Sequence, residues 1–175
     1  MELINIFRIL PYVNKNRIED YHFILKAKQD RLLISPTARY LDNTKFPNKF
    51  SESLIAHMIL EEYFTLEEGP VSGVVVTNNN KMCDIVVEIS KEKYLRVEAK
   101  GTGAAKFITM GAKDYKADYL FWMWLDSENQ CTILKYAKPE TLTTRSKRMT
   151  LKEFYNNHIS ENLTEKHFSL ETLLL

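Results

Sequence analysis

The sequence is poor in the residues that break a chain or staple it, with only five Gly, five Pro and two Cys among 175 residues. So little glycine and proline leaves no room for a long linker, and no low-complexity tract or internal repeat is found. Two cysteines cannot build a disulfide framework. Cys83 and Cys131 each lie in strand-like apolar sequence, where buried free thiols of a cytoplasmic protein are the expectation. The absence of CxxC or Cys/His spacing removes a structural zinc site. No apolar run approaches the roughly 18–20 residues of a membrane span, so no membrane segment is expected. Met1 to Leu10 has no basic region ahead of an apolar stretch, and no secretory leader is expected. An excess of charge of one sign is missing too: 24 basic residues face 23 acidic ones, for a net +1. That excludes a globally basic chain of the kind that coats nucleic acid.

What is present is an ordinary globular composition, 45% hydrophobic and 27% charged, at a length that suits one domain. We expect a single domain over 1–175, with a helical N-terminal flank (1–49), a core (about 50–137) and a C-terminal flank (138–175). In the first flank, Leu3, Ile6, Phe7 and Leu10 have helical spacing up to Pro11. Ile18, Tyr21, Leu25 and Leu32 mark a longer helix over about 16–33. Pro36, Asp42, Asn43, Pro47 and Asn48 are loop chemistry. Helix returns over about 51–64, with Ser51 as its cap and Leu54, Ile55, Met58, Ile59 and Tyr63 as its buried face.

Past Gly69-Pro70 the texture turns β-branched. Val71 to Thr77, Cys83 to Ile89 and Tyr94 to Lys100 read as strands, the last two as a hairpin, with a turn at Asn78 to Asn80. Residues 104–116 read as a short helix or ordered loop. Asp118 to Leu125 is an apolar run fit for a central strand buried on both faces, so Trp122 and Trp124 are core. Thr132 to Ala137 is another strand, and 139–175 reads as mixed loop and helix with a short amphipathic end at 168–175. The order predicts an α/β domain: a central mixed β-sheet flanked by helices, with extra helices at both ends.

One stretch carries chemistry. In Asp84-x13-Glu98-Ala99-Lys100, strand alternation puts Glu98 and Lys100 on one face and Ala99 on the other. A hairpin brings Asp84 beside Glu98. Two carboxylates suit Mg²⁺, with Mn²⁺ as a substitute. Such an ion polarises a phosphoryl oxygen and acidifies water, while Lys100 is placed to orient the attacking water. Glu88 shares a strand face with Asp84 and is a reserve acid. An acidic and a basic residue alternating on a solvated strand give the bland reading of the same pattern.

The run Val97-Glu98-Ala99-Lys100-Gly101-Thr102-Gly103, preceded by Asp84, resembles the active-site hairpin of the PD-(D/E)XK nuclease superfamily. Gly111 to Leu120 resembles the segment that leads away from this hairpin in small type II restriction endonucleases. The resemblance spans about 50–136, and Cys83 stands where many members carry proline. It implies a restriction-endonuclease-like core, metal binding by Asp84 and Glu98, and water activation by Lys100. It also implies a further acid on the preceding helix, for which Glu52 is the candidate. The implied activity is sequence-specific, metal-dependent cleavage of double-stranded DNA by a homodimer. The alternatives are a repair or structure-specific nuclease of the same fold, or a catalytically silent DNA-binding or assembly module. Thr102, Lys106, Lys113, Arg145, Lys147 and Arg148 are the candidate DNA contacts. His22, His57, His158 and His167 show no HxH or HExxH spacing, which disfavours a histidine-based nuclease site.

Overall fold

The computed structural model describes residues 48–77, 83–90, 93–102, 107–125, 130–144 and 146–169. The expected helices at 2–10 and 16–33, the turn at Asn78 to Asn80 and, apart from residues 168 and 169, the amphipathic C-terminal segment at 168–175 lie outside these. The described residues form an α/β domain around a six-stranded mixed sheet. Helix α1 (Asn48–Leu60) comes first. Strands β1 (Gly73–Val76), β2 (Ile85–Ser90) and β3 (Lys93–Thr102) form an antiparallel meander after it. A short strand β4 (Phe107–Thr109) and a 3₁₀ turn (Asp114–Lys116) lead to β5 (Tyr119–Leu125), which runs parallel to β3. Then come β6 (Gln130–Ala137), β7 (Arg148–Thr150), helix α2 (Leu151–Asn157) and β8 (Leu163–Ser169). The main sheet has the order β1-β2-β3-β5-β6-β8, and β4 pairs with β7 in a separate two-stranded sheet.

Strand alternation divides the core into two layers. Val87, Leu95, Val97, Ala99, Phe121, Met123 and Ile133 point to one face and meet Leu54, Ile55, Met58 and Ile59 of α1. Leu120, Trp122, Trp124, Leu134 and Tyr136 point to the other face and meet Ile108, Met149 and Phe154. Tyr119 to Trp124 are buried throughout, as a central strand requires. Trp122 packs edge-on against Trp124 and Phe154, with ring centroids 5.7 Å away in each case. Both tryptophans are therefore core. Cys83 and Cys131 are both buried, and neither forms a disulfide.

Several local expectations are corrected. α1 begins at Asn48, so Ser51 is not its cap but a fully buried residue within it. It ends at Leu60, where Glu62 turns left-handed (φ 59), and Tyr63 lies beyond it, 41% exposed. The described part of 104–116, expected as a short helix or ordered loop, contains the short strand β4 and a 3₁₀ turn. Among the described residues of the C-terminal flank, expected as mixed loop and helix, are one short α-helix, two 3₁₀ turns and two strands. α2 is set by a capping box, with Thr150 accepting from the Glu153 N–H while Glu153 accepts from Thr150. β8 pairs with β6 from Gln130↔Ser169 to Tyr136↔Leu163, which carries the main sheet past residue 137. Among the described residues no helix is long and apolar enough to cross a membrane.

Candidate active site

The register places the key residues. Ile85 is opposite Val97, so Asp84, one residue earlier, stands opposite Glu98. The Asp84 N–H donates to the Val97 carbonyl at 3.2 Å, and the Ala99 N–H donates to Asp84 Oδ2 at 3.2 Å. These two bonds fix the Asp84 carboxylate against the backbone of β3. Glu98 is level with Leu120, and Lys100 with Trp122, in the parallel pairing with β5. Glu98 and Lys100 therefore project on the tryptophan side of the sheet, away from α1. On that side α2 and the β4–β7 pair cover β5 and β6, while Val75, Val86, Glu88, Tyr94 and Arg96 remain partly or fully exposed. Asp84, Glu98 and Lys100 lie at the border between the covered and open halves of this face.

Five side chains of alternating charge meet there. Lys113 Nζ is 2.8 Å from Asp84 Oδ1 and 2.9 Å from Glu98 Oε2. Lys100 Nζ is 3.8 Å from the same Glu98 oxygen and 2.8 Å from Asp114 Oδ1. Asp114 Oδ2 accepts the Gly111 N–H at 2.5 Å, which closes the turn that presents Lys113 and Asp114 together. Glu98 is fully buried, and neither of its carboxylate oxygens has a hydrogen-bond partner among the described residues beyond these ion pairs. A buried carboxylate so poorly solvated resists ionisation. Burial first, then the neighbouring Asp114 carboxyl, pushes the Glu98 pKa up to about 8, against the opposing pull of Lys113. For Asp84, burial acts upward, but the Lys113 ammonium, the neighbouring Glu98 carboxyl and the Ala99 N–H outweigh it and hold the carboxyl below its usual range. Desolvation pulls the Lys113 ammonium down, and its contacts with Asp84 and Glu98 more than reverse this. Burial also raises the Cys83 thiol, with Glu98 and Asp84 adding to the effect.

The donor set suits a hard divalent cation. Among the described residues no group of three or more His, Cys, Asp or Glu is arranged as a metal cage. Mg²⁺, however, is commonly held by one or two carboxylates and completes its shell with water. Asp84 and Glu98 face each other with the buried Glu98 oxygens lacking hydrogen bonds, and a cationic ammonium already stands between them. Both observations fit an ion held by this pair.

The other sequence candidates divide. Lys113, expected at a phosphate, is instead inside the cluster. Asp114, buried and paired with Lys100, was not anticipated. The available signal was an acid and a base, Lys113-Asp114, in the segment entering β5, but only the Glu98↔Leu120 register shows that this segment passes beside Glu98. Glu88 shares the Asp84 face, yet two strand pleats separate them, roughly 13 Å, so the structure does not bring it to the cluster. Glu52 is buried on α1, which packs on the opposite face of β3 from Glu98. The Thr102 hydroxyl accepts the Trp122 indole N–H at 3.1 Å, which gives it a structural partner. Lys147 and Arg148 are exposed, the latter on β7. The Tyr115 hydroxyl, next to Asp114, donates to the Ser146 carbonyl at 2.9 Å and ties that basic segment to the cluster. Lys106 and Arg145 lie outside the described residues. No family model, no curated protein and no solved structure matches the chain.

Proposed function

We propose that this chain is a metal-dependent DNA endonuclease of the PD-(D/E)XK type, acting as a cytoplasmic type II restriction enzyme on double-stranded DNA. The observation that carries the reading is the convergence of Asp84, Glu98 and Lys100 on one face of the β2–β3 hairpin, with the Glu98 carboxylate buried and lacking hydrogen bonds. Asp84 and Glu98 would hold Mg²⁺ or Mn²⁺, which supplies Lewis-acid activation of the scissile phosphate. Lys100, held on its other side by Asp114, is positioned to orient the attacking water and to offset charge that builds on phosphorus. Asp84, already ionised, contributes a ready ligand, whereas Glu98 must give up its proton when it binds a cation. The exposed Lys147 and Arg148 offer phosphate contacts next to the cluster. One such site per chain, acting on both strands of a symmetric sequence, calls for a two-fold dimer.

One observation favours a second reading, a catalytically silent DNA-binding or assembly module: Lys113 bridges Asp84 and Glu98 and, with Glu98 protonated, balances the Asp84 charge without any metal. Incubating the purified chain with plasmid DNA and Mg²⁺, then sequencing the ends, separates the two. Discrete ends at one short sequence support the restriction enzyme. Ends without sequence preference point to a repair or structure-specific nuclease, and intact plasmid in both Mg²⁺ and Mn²⁺ supports the silent module.

A further inference from the structure

We infer that Lys113 is a built-in counter-cation that occupies the divalent-metal position between Asp84 and Glu98, and that it must swing out for the metal to enter. The inference deepens the metal-dependent reading and rests on it. Two carboxyl groups facing each other across adjacent strands cannot both ionise unless a cation lies between them. Here that cation is the Lys113 ammonium, nearly equidistant from the two at 2.8 Å and 2.9 Å. Lys100 does not take this place, because its close partner is Asp114 and it stays 3.8 Å from Glu98. Lys113 also differs in placement and exposure. It is on the crossover segment and not on a sheet strand, and its side chain is 35% exposed, against 17% for Asp84 and none for Glu98. A flexible four-carbon stem open to solvent can withdraw its ammonium while the carboxylates stay anchored.

The displacement makes Lys113 a positioning residue that sets metal affinity. An ammonium and a divalent ion that compete for the same two oxygens are coupled negatively, and removing the first tightens binding of the second. The cluster without Lys113 has three acids and one base, which raises its attraction for a cation further.

The test uses Mn²⁺ as the probe, with the free ion followed by electron paramagnetic resonance. Lys113→Met keeps the side-chain length and removes the charge. It is expected to bind Mn²⁺ at least about tenfold more tightly than the unsubstituted chain, and Asp84→Asn in either background should abolish that binding. Equal or weaker Mn²⁺ affinity in Lys113→Met, with Asp84-dependent binding in both chains, overturns the inference and leaves the nuclease reading standing. Absence of Asp84-dependent binding in both chains overturns the two together. A measurement on the unsubstituted chain covers the case of a variant that does not fold. The Lys113 ammonium should give a protected nitrogen–proton NMR signal without metal. That signal should disappear at Mg²⁺ concentrations that raise the melting temperature, and its persistence there contradicts the displacement.

Discussion

Lys100 makes its short contact with Asp114, 2.8 Å from Nζ to Oδ1, and stands a full ångström farther from Glu98 on its own strand. The Asp114 carboxylate is in turn fixed by the Gly111 N–H. Lys100 is thus aimed by a residue from the crossover segment. Asp114→Asn removes that charge while keeping a similar shape. In the proposed nuclease, kcat should fall about tenfold to a hundredfold, the range typical of a residue that orients a catalytic partner, with KM for DNA little changed. A loss confined to KM would place Asp114 in DNA binding.

The proton on Glu98 makes stability depend on pH. Its folded pKa, about 8, lies above the 4.5 of an ordinary glutamate. A folded value raised in this way contributes stability that is fully present below the unfolded pKa and is lost as pH rises through the folded one. Glu98→Gln, which cannot ionise, escapes the loss. Its melting temperature relative to the unsubstituted chain should rise between about pH 4.5 and 8. A difference that stays constant across this window would show that Glu98 is not held protonated.

Helix α2 is anchored to the sheet by one ring. Phe154 is fully buried and meets Trp122 at 5.7 Å and Tyr136 at 5.4 Å between centroids. Phe154→Ala should cost about 3–5 kcal/mol in chemical denaturation. A loss below about 1 kcal/mol would show that this layer is not part of the cooperative core.

Much of this architecture is legible in the residues alone. The β2–β3 hairpin and the buried β5 arise from β-branched and apolar runs bounded by turn residues, and alternation along β3 separates Glu98 from Ala99. β8 is not legible in this way. Leu163 to Ser169 alternates poorly and is mostly polar, and it forms a strand because β6 offers it an edge. Such pairing overrides weak intrinsic preference. The Ser51 cap fails for a related reason: the helix starts one turn earlier, and hydroxyl residues near a start do not by themselves identify it. Asp84, Glu98 and Lys100 can be placed together because a hairpin relates them locally. Asp114 and the position of Lys113 depend on the β3–β5 register, a long-range relationship that neither spacing nor composition encodes.

Arg148, exposed on β7, is expected to meet a DNA phosphate. Arg148→Ala should weaken DNA binding and lower the slope of log affinity against log salt by about 1. Cleavage at saturating enzyme should stay close to that of the unsubstituted chain. An unchanged salt slope would remove Arg148 from the interface.

The proposed role of Glu98 in metal-dependent DNA cleavage is tested most directly by cleavage of plasmid DNA in Mg²⁺ by the unsubstituted chain and by Glu98→Ala, with DNA binding measured in parallel. The unsubstituted chain is expected to cut. Glu98→Ala should lose cleavage by roughly several orders of magnitude yet still bind DNA. Undiminished cleavage by Glu98→Ala at high Mg²⁺, or none by the unsubstituted chain in Mg²⁺ or Mn²⁺, would contradict that role.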